Sequence, residues 1–287
     1  MFGVREATVV IPASIISDTP HLREKTGKLG SIARSCSIFG VDKIIIYADT
    51  DSHDQIENLR TCEEILRYIE APQYLRKRLF KMSPALQFAG ILPPLQISSH
   101  NVAKSLRECK VSDWRDGIVV ARNGNGLTVD VGLELPAECE GKVPVGTRIT
   151  VEVTSIGGKA ITGKLIDREK IRSPLYWGYQ VRAEKTGLGV VLDREKADLR
   201  IGTSRYGQRL KDVWSKMSGL LNKDASVMIA FGSPKLGLQQ ILHMEGKVSD
   251  DAFDFFINFV PGQETLTVRT EEAVAATLAS LNILRSM

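Results

Sequence analysis

The stretch that decides the fold is Ala7–Ile16 (ATVVIPASII), followed after one helical pattern by Lys43–Tyr47 (KIIIY). A continuous apolar run rich in Val and Ile is what a parallel strand buried on both faces shows; one wet face would force alternation. Between the runs, Leu22, Leu29, Ile32, Ala33, Cys36 and Phe39 recur at three- and four-residue spacings, the period of a helix with one apolar face. Asp18 or Thr19 can cap that helix, Pro20 suits its first turn, and Gly40 can end it. After a polar loop from Asp49 to Asn58, helical patterning returns through Ile69, breaks at Pro72 and resumes to about Lys81. Strand, helix, strand, helix is the opening of an α/β domain with a parallel sheet.

Working outward, the character changes at Ile91-Leu92-Pro93-Pro94. Short strands are expected at Asp116–Ala121, Leu127–Val131, Arg148–Ser155 and Lys159–Leu165, punctuated by Asn123-Gly124-Asn125-Gly126 and Gly157-Gly158. Asn-Gly and Gly-Gly pairs between β-branched runs are hairpin signals. About 80 residues of this pattern make a small, OB-like β-barrel inserted into the larger domain. The insert is expected over 91–172, with Pro93-Pro94 and Ser173-Pro174 at its edges, and the α/β domain over 1–90 and 173–287.

Beyond Pro174 the α/β style returns. Gly189–Leu192, Leu199–Ile201, Ser226–Phe231 and Phe253–Ile257 read as strands, and Gln208–Leu221, Leu236–His243 and Thr270–Ser286 as helices. Glu271 and Glu272 favour the positive N-terminus of the last.

Composition bounds the function. The 287 residues are 43% hydrophobic and 25% charged, with a net charge of +4, which excludes a disordered chain, a collagen and a disulfide scaffold. The mild basicity permits a polyanionic partner without requiring one. Cys36, Cys62, Cys109 and Cys139 form no CxxC, and the four histidines are scattered, so free thiols and no metal are expected. No apolar run reaches the roughly 18 residues of a membrane span, so a cytoplasmic protein is expected.

In an open parallel sheet, ligands bind beyond the carboxyl ends of the strands. Three loops qualify: Gly202–Gly207, Gly232–Gly237 and Asn258–Thr265, each rich in Gly, Ser/Thr or Pro. The plain alternative is ordinary strand-to-helix turns, which use the same residues. No loop matches GxxxxGK[ST] or GxGxxG.

Three segments carry a family resemblance. Gly30-Ser-Ile-Ala-Arg34, Ile229-Ala-Phe-Gly-Ser233 with Gly237-Leu238, and Asn258-Phe-Val-Pro-Gly262 with Thr265-Leu-Thr-Val268 resemble the three motifs of SpoU-type RNA methyltransferases, members of the SPOUT class. The run Pro261-Gly-Gln-Glu-Thr-Leu-Thr-Val-Arg-Thr-Glu-Glu-Ala273 most resembles the archaeal and eukaryotic subfamily with an inserted barrel, whose members act on uridine N3 of rRNA. Lys28, Pro234 and Thr265-Leu-Thr267 depart from the SpoU pattern and point away from ribose 2′-O chemistry, towards a base nitrogen.

The resemblance implies a C-terminal trefoil knot, a homodimer with sites near its interface, and S-adenosylmethionine as methyl donor. It makes Arg34 the catalytic candidate, a cation that stabilises charge developing on the target base. Arg205, Gly232, Gly237, Asn258, Val260, Gly262, Leu266 and Thr270 are the cofactor candidates. Arg76, Lys77, Arg78 and Lys81, interleaved with Tyr74 and Phe80 and free of acids, are the candidate RNA-phosphate contacts. For each of these residues a solvated or merely structural role is the alternative. For the whole protein the alternative is a non-catalytic RNA- or ribosome-binding protein with a knot-type structural domain.

Overall fold

The structure, a computed structural model, describes residues 5–49, 54–100, 102–171, 176–221, 224–249 and 251–286. The expected insert edge at Arg172 and Ser173-Pro174 lies outside the described residues, as do His53 and Asn101.

The chain opens with β1 (Glu6–Pro12), α1 (Leu22–Ile38), β2 (Lys43–Tyr47), α2 (Gln55–Glu70) and α3 (Gln73–Leu79). Five strands follow: β3 (Trp114–Asn123), β4 (Gly126–Asp130), β5 (Ala137–Glu140), β6 (Arg148–Ile156) and β7 (Ile161–Ile166). After the short α4 (Arg168–Ile171) come β8 (Gln180–Glu184), α5 (Leu188–Arg194), β9 (Leu199–Arg209), α6 (Leu210–Ser218), β10 (Ser226–Ala230), α7 (Leu238–Met244), β11 (Phe255–Asn258) and α8 (Thr270–Ser286). Among the described residues no helix is long and apolar enough to cross a membrane.

Two compact units result. One holds residues 1–69, 84–94 and 179–287; the other holds 70–83 and 95–178. Residues 70–83, expected with the α/β domain, thus group with the barrel.

The first unit is built on a six-stranded parallel sheet in the order β11-β9-β10-β1-β2-β8. β1, β2 and β10 lie inside it and are buried almost throughout, as their unbroken apolar runs require. One core cluster joins Val10, Ile45 and Met228 of the sheet to Leu188 and Val191 of α5 and Ile241 and Leu242 of α7. α8 packs against α1. Gly30 lets the segment 92–94 approach α1 closely: a Cβ there would lie 2.8 Å from Pro93 Cδ.

The second unit is a closed barrel, β3-β4-β5-β7-β6, antiparallel except for the pair β5–β7. Its core is the inward set Val119, Leu127, Val129, Ala137, Val151 and Ile161.

Several expectations are corrected. Gly189–Leu192 is not a strand but the middle of α5, because a four-residue apolar run carries no period to separate a buried strand from a buried helix turn. The strand there is β8, an edge strand with no fully buried residue; β5, also unforeseen, buries Ala137 and Cys139 alternately with exposed Glu138 and Glu140, a pattern only four residues long. The first run ends as a strand at Pro12 and continues as a 3-10 turn, Ala13–Ile16. Gly202–Gly207 is not a turn after a short strand: it belongs to β9, which runs on to Arg209. The helix expected to reach Lys81 stops at Leu79.

Candidate active site

β9 and β11 pair from Phe255 with Ile201 and from Phe256 with Gly202, and then the register jumps so that Ile257 meets Gln208. Residues 203–207 are therefore left without partners in β11, a bulge that aims side chains away from the sheet. Gly207 permits the close approach that follows, since a Cβ there would lie 2.8 Å from the Phe256 carbonyl oxygen. The excursion carries Arg205 and Tyr206 to a cavity of about 640 Å³, walled by the carboxyl ends of β9, β10 and β11 and the start of α8.

The loop after β10 forms the next wall. Phe231 is fixed from both sides: its N–H donates to Val10 O (2.9 Å) and its carbonyl accepts from Tyr47 Oη (2.9 Å). Burial, then Asp49 and Glu245, push the Tyr47 phenol well above its ordinary pKa, so it remains a donor. The turn closes with Ser233 N donating to Leu236 O and Leu236 N to Ser233 Oγ, each 2.9 Å. A Cβ on Gly232 would lie 2.8 Å from Leu236 O, so the turn needs glycine there. A Cβ on Gly237 meets nothing closer than 3.9 Å.

Asn258 ties two walls together. Its Nδ2 donates to Arg205 O (2.8 Å) and its Oδ1 accepts from Val260 N (2.9 Å). Arg205 in turn donates to Leu266 O (3.0 Å), bonds to Tyr206 Oη, and lies 4.6 Å from the Tyr206 ring centroid. Thr203 Oγ1 donates to Ala230 O (2.9 Å), joining β9 to β10.

The structure brings Arg205, Gly232, Gly237, Asn258, Val260 and Thr270 to this one cavity. Gly262 and Leu266 are outside its lining. Gly262 has φ +77 with open space around it, and Leu266 is 91% exposed, contributing its carbonyl rather than its side chain. Arg34, half-buried on α1, is also outside the lining and donates to Pro94 O at 3.3 Å. The four basic candidates lie in or just after α3, in the other unit. Arg76 donates to Ala71 O (3.0 Å) and Arg78 pairs with Asp130, while Lys77 and Lys81 are exposed.

Asp18 is a site residue that the sequence reading missed. It does not cap α1, whose N-cap is His21 without a side-chain cap bond. It lines the cavity instead, held by Lys28 Nζ at 2.8 and 3.0 Å to its two oxygens. Burial works to raise its pKa, but the Lys28 bond and charge, with Thr19, hold it below the usual carboxylate range. Lys28 is nearly buried on α1 and also faces Glu271 Oε2 at 3.5 Å. The signal available was Lys28 itself, a charge on the apolar face of a helix, which demands a partner.

A cavity of this kind on the strand ends of a parallel sheet is a small-molecule site. Comparison with known proteins gives the family. A family described as "Putative RNA methyltransferase" matches residues 6–281. The chain belongs to this RNA methyltransferase family. The methyltransferase is 35% identical to an uncharacterized protein of Halobacterium salinarum, over 96% of its own length and 98% of that protein's. It is 32% identical to the human 28S rRNA (uridine-N(3))-methyltransferase, over 96% of its own length and 77% of the relative's. With the fruit-fly protein of the same name it shares 28% identity, over 96% and 61%. The non-catalytic alternative gives way to an RNA-modifying enzyme.

Proposed function

We propose that this methyltransferase moves a methyl group from S-adenosylmethionine to N3 of a uridine in ribosomal RNA. The observation that carries the reading is the cavity: it gathers Arg205, Gly232, Gly237, Asn258, Val260 and Thr270 from separate strand ends. Its volume, about 640 Å³, suits a nucleoside-sized ligand. The glycines keep the β10 loop free of side chains, so its backbone can approach a ligand closely. When bound, the sulfonium supplies an electrophilic methyl group; the residues here hold and orient it, and Gly262 and Leu266 shape the loop between Asn258 and α8. The choice of uridine N3 follows the names of the human and fruit-fly relatives.

The finer architecture is part of the proposal. The last segment is threaded as a SPOUT trefoil knot, a reading supported by the return of α8 from the edge strand β11 to pack on α1. The enzyme works as a homodimer, because Arg34 lies outside its own chain's cavity and a second copy can deliver it. There it stabilises negative charge developing on the base. The barrel is an OB-like module, supported by its five-strand order with one parallel pair, and with Arg76, Lys77, Arg78 and Lys81 it contacts RNA phosphates. The protein is cytoplasmic.

Methylated-nucleoside profiling of rRNA from cells with and without the protein tests the function. Loss of a 3-methyluridine is expected; an unchanged nucleoside profile overturns the reading. Calorimetry tests the cofactor: S-adenosylmethionine should bind without added metal.

A further inference from the structure

Asp18 is the single carboxylate among the described residues lining the cavity, and the single contribution of the β1–α1 connection. The other lining residues come from β9 and β11, the loops after β10 and β11, α7 and α8. The connection is tied to the rest of the unit at Ser14 and Ser17. Ser14 donates to the buried Asp49 through its N–H (3.0 Å) and its hydroxyl (2.5 Å), and Asn58 Nδ2 donates to Ser17 Oγ (3.2 Å). Lys28 grips the carboxylate from one side with only 6% of its own side chain exposed, while the Asp18 side chain keeps 38% exposure. Lys28, which also faces Glu271 Oε2 at 3.5 Å, is thus a nearly buried cation that holds a carboxylate lining the cavity and still partly exposed.

Building on the function proposed above, we infer that Asp18 accepts the N3–H of the target base, selects uridine over cytidine, and receives the proton as the methyl group arrives. An ionised carboxylate only accepts hydrogen bonds. Uracil presents N3–H to it, whereas cytosine presents a nitrogen lone pair. As the N3–CH3 bond forms, the electron pair of the N3–H bond stays on nitrogen and the proton passes to a carboxylate oxygen. The sulfur keeps the electron pair of the broken S–CH3 bond. The carboxyl group then releases its proton to water, a release that Lys28 favours by stabilising the anion. N3–H becomes strongly acidic only as nitrogen is alkylated, so a weakly basic carboxylate suffices at that moment.

The test uses the full-length protein and a transcript carrying the uridine mapped by nucleoside profiling. For Asp18→Asn, single-turnover methyl transfer at saturating RNA and S-adenosylmethionine should fall about 10²–10⁴-fold, the usual contribution of a positioned acid–base group. Calorimetric affinity for S-adenosylmethionine should change less than twofold. Without cofactor, the wild type should bind the uridine transcript at least tenfold tighter than its cytidine counterpart. Asp18→Asn should lose that preference, since its amide can donate to cytosine N3. A wild-type rate, an unchanged preference for uridine, or a collapse of cofactor affinity in Asp18→Asn overturns the inference and leaves Asp18 as a structural or cofactor contact. If Asp18→Asn does not fold, Asp18→Asn with Lys28→Gln keeps a neutral hydrogen-bonded pair and takes the same measurements. A wild-type product other than 3-methyluridine overturns the proposed function itself, an outcome distinct from 3-methyluridine made at full rate by the variant.

Discussion

Two charged clusters, one in each unit, are built in opposite ways. In the barrel unit, Glu70, nearly buried, meets Arg148 Nη1 at 2.6 Å and Arg168 Nη2 at 2.6 Å. Arg148 also pairs with Asp116, whose carboxylate accepts from Thr150 Oγ1 (2.7 Å) and Trp177 Nε1 (2.8 Å). Within this network each carboxylate is answered by an arginine. In the sheet unit, Asp18 and Arg205 are each anchored by one part and left open at another, beside a cavity. Closed networks hold a fold together; half-closed ones present chemistry.

The sharpest way to break this contrast is to open the closed network. Arg148→Met leaves two carboxylates short of a partner, and removing one member of a buried pair costs about 3–5 kcal/mol. Urea unfolding should show that loss in the barrel unit. The same substitution should leave cofactor affinity unchanged, and a large fall in affinity would erase the distinction drawn between the units. Arg34→Ala is the next largest effect: a fall of about 10²–10³ in single-turnover rate at saturating RNA, with cofactor affinity intact. Arg34→Lys should rescue only in part, because lysine lacks the planar fork.

Acid should separate the units further. Burial opposes ionisation of Glu70, but Arg148 and Arg168 hold its pKa near about 2, below its ordinary 4.5. Its folded pKa is depressed, so its stabilisation is complete above about pH 4.5 and drains away as pH falls towards about 2. The amount at stake is of order 3 kcal/mol, and unfolding free energies measured between pH 6 and 2.5 check it. A smaller effect belongs to Gly262→Ala. Its φ of +77 strains any other residue by about 1–2 kcal/mol, with open space for the methyl group itself. Cofactor affinity should fall about tenfold or less, whereas Gly232→Val, which meets backbone, should fall further. Equal effects at the two glycines would contradict the placement of Gly232 in the wall and Gly262 outside it.

The strands legible in the sequence were the unbroken buried runs of β1, β2 and β10, the turn-bounded runs of β3, β4, β6 and β7 in the barrel, and, in part, β9 and β11. β8 escaped because an edge strand such as Gln180–Glu184 has no buried run to read, and α5 was misread because its apolar run is shorter than two helical turns. At the site, glycine and proline after strands located the loop after β10 and the segment after Asn258. The excursion of β9 was visible only as Gly202 and Gly207, whose spacing gives no hint that the strand resumes. Asp18 was hidden because its partner, ten residues on, is found by packing rather than by local pattern. Leu266 belongs to a recognisable motif, yet its side chain points to solvent and only its carbonyl takes part.

The register of β1 carries a consequence for how this protein is made. Its apolar edge pairs on one side with β2, close by in sequence, and on the other with β10, from Glu6 against Ser226 to Val10 against Ala230. A ribosome adding about 5–20 residues per second needs roughly ten to forty seconds to bring that second partner into being. For that interval a central strand of the sheet has an open flank, the kind of surface that recruits stray strands from other chains. The barrel, whose five strands are all contained within residues 114–166, can close long before. The nascent chain should therefore pass through a state with a finished insert and an unfinished host, and chaperone capture during synthesis should peak before β10 emerges.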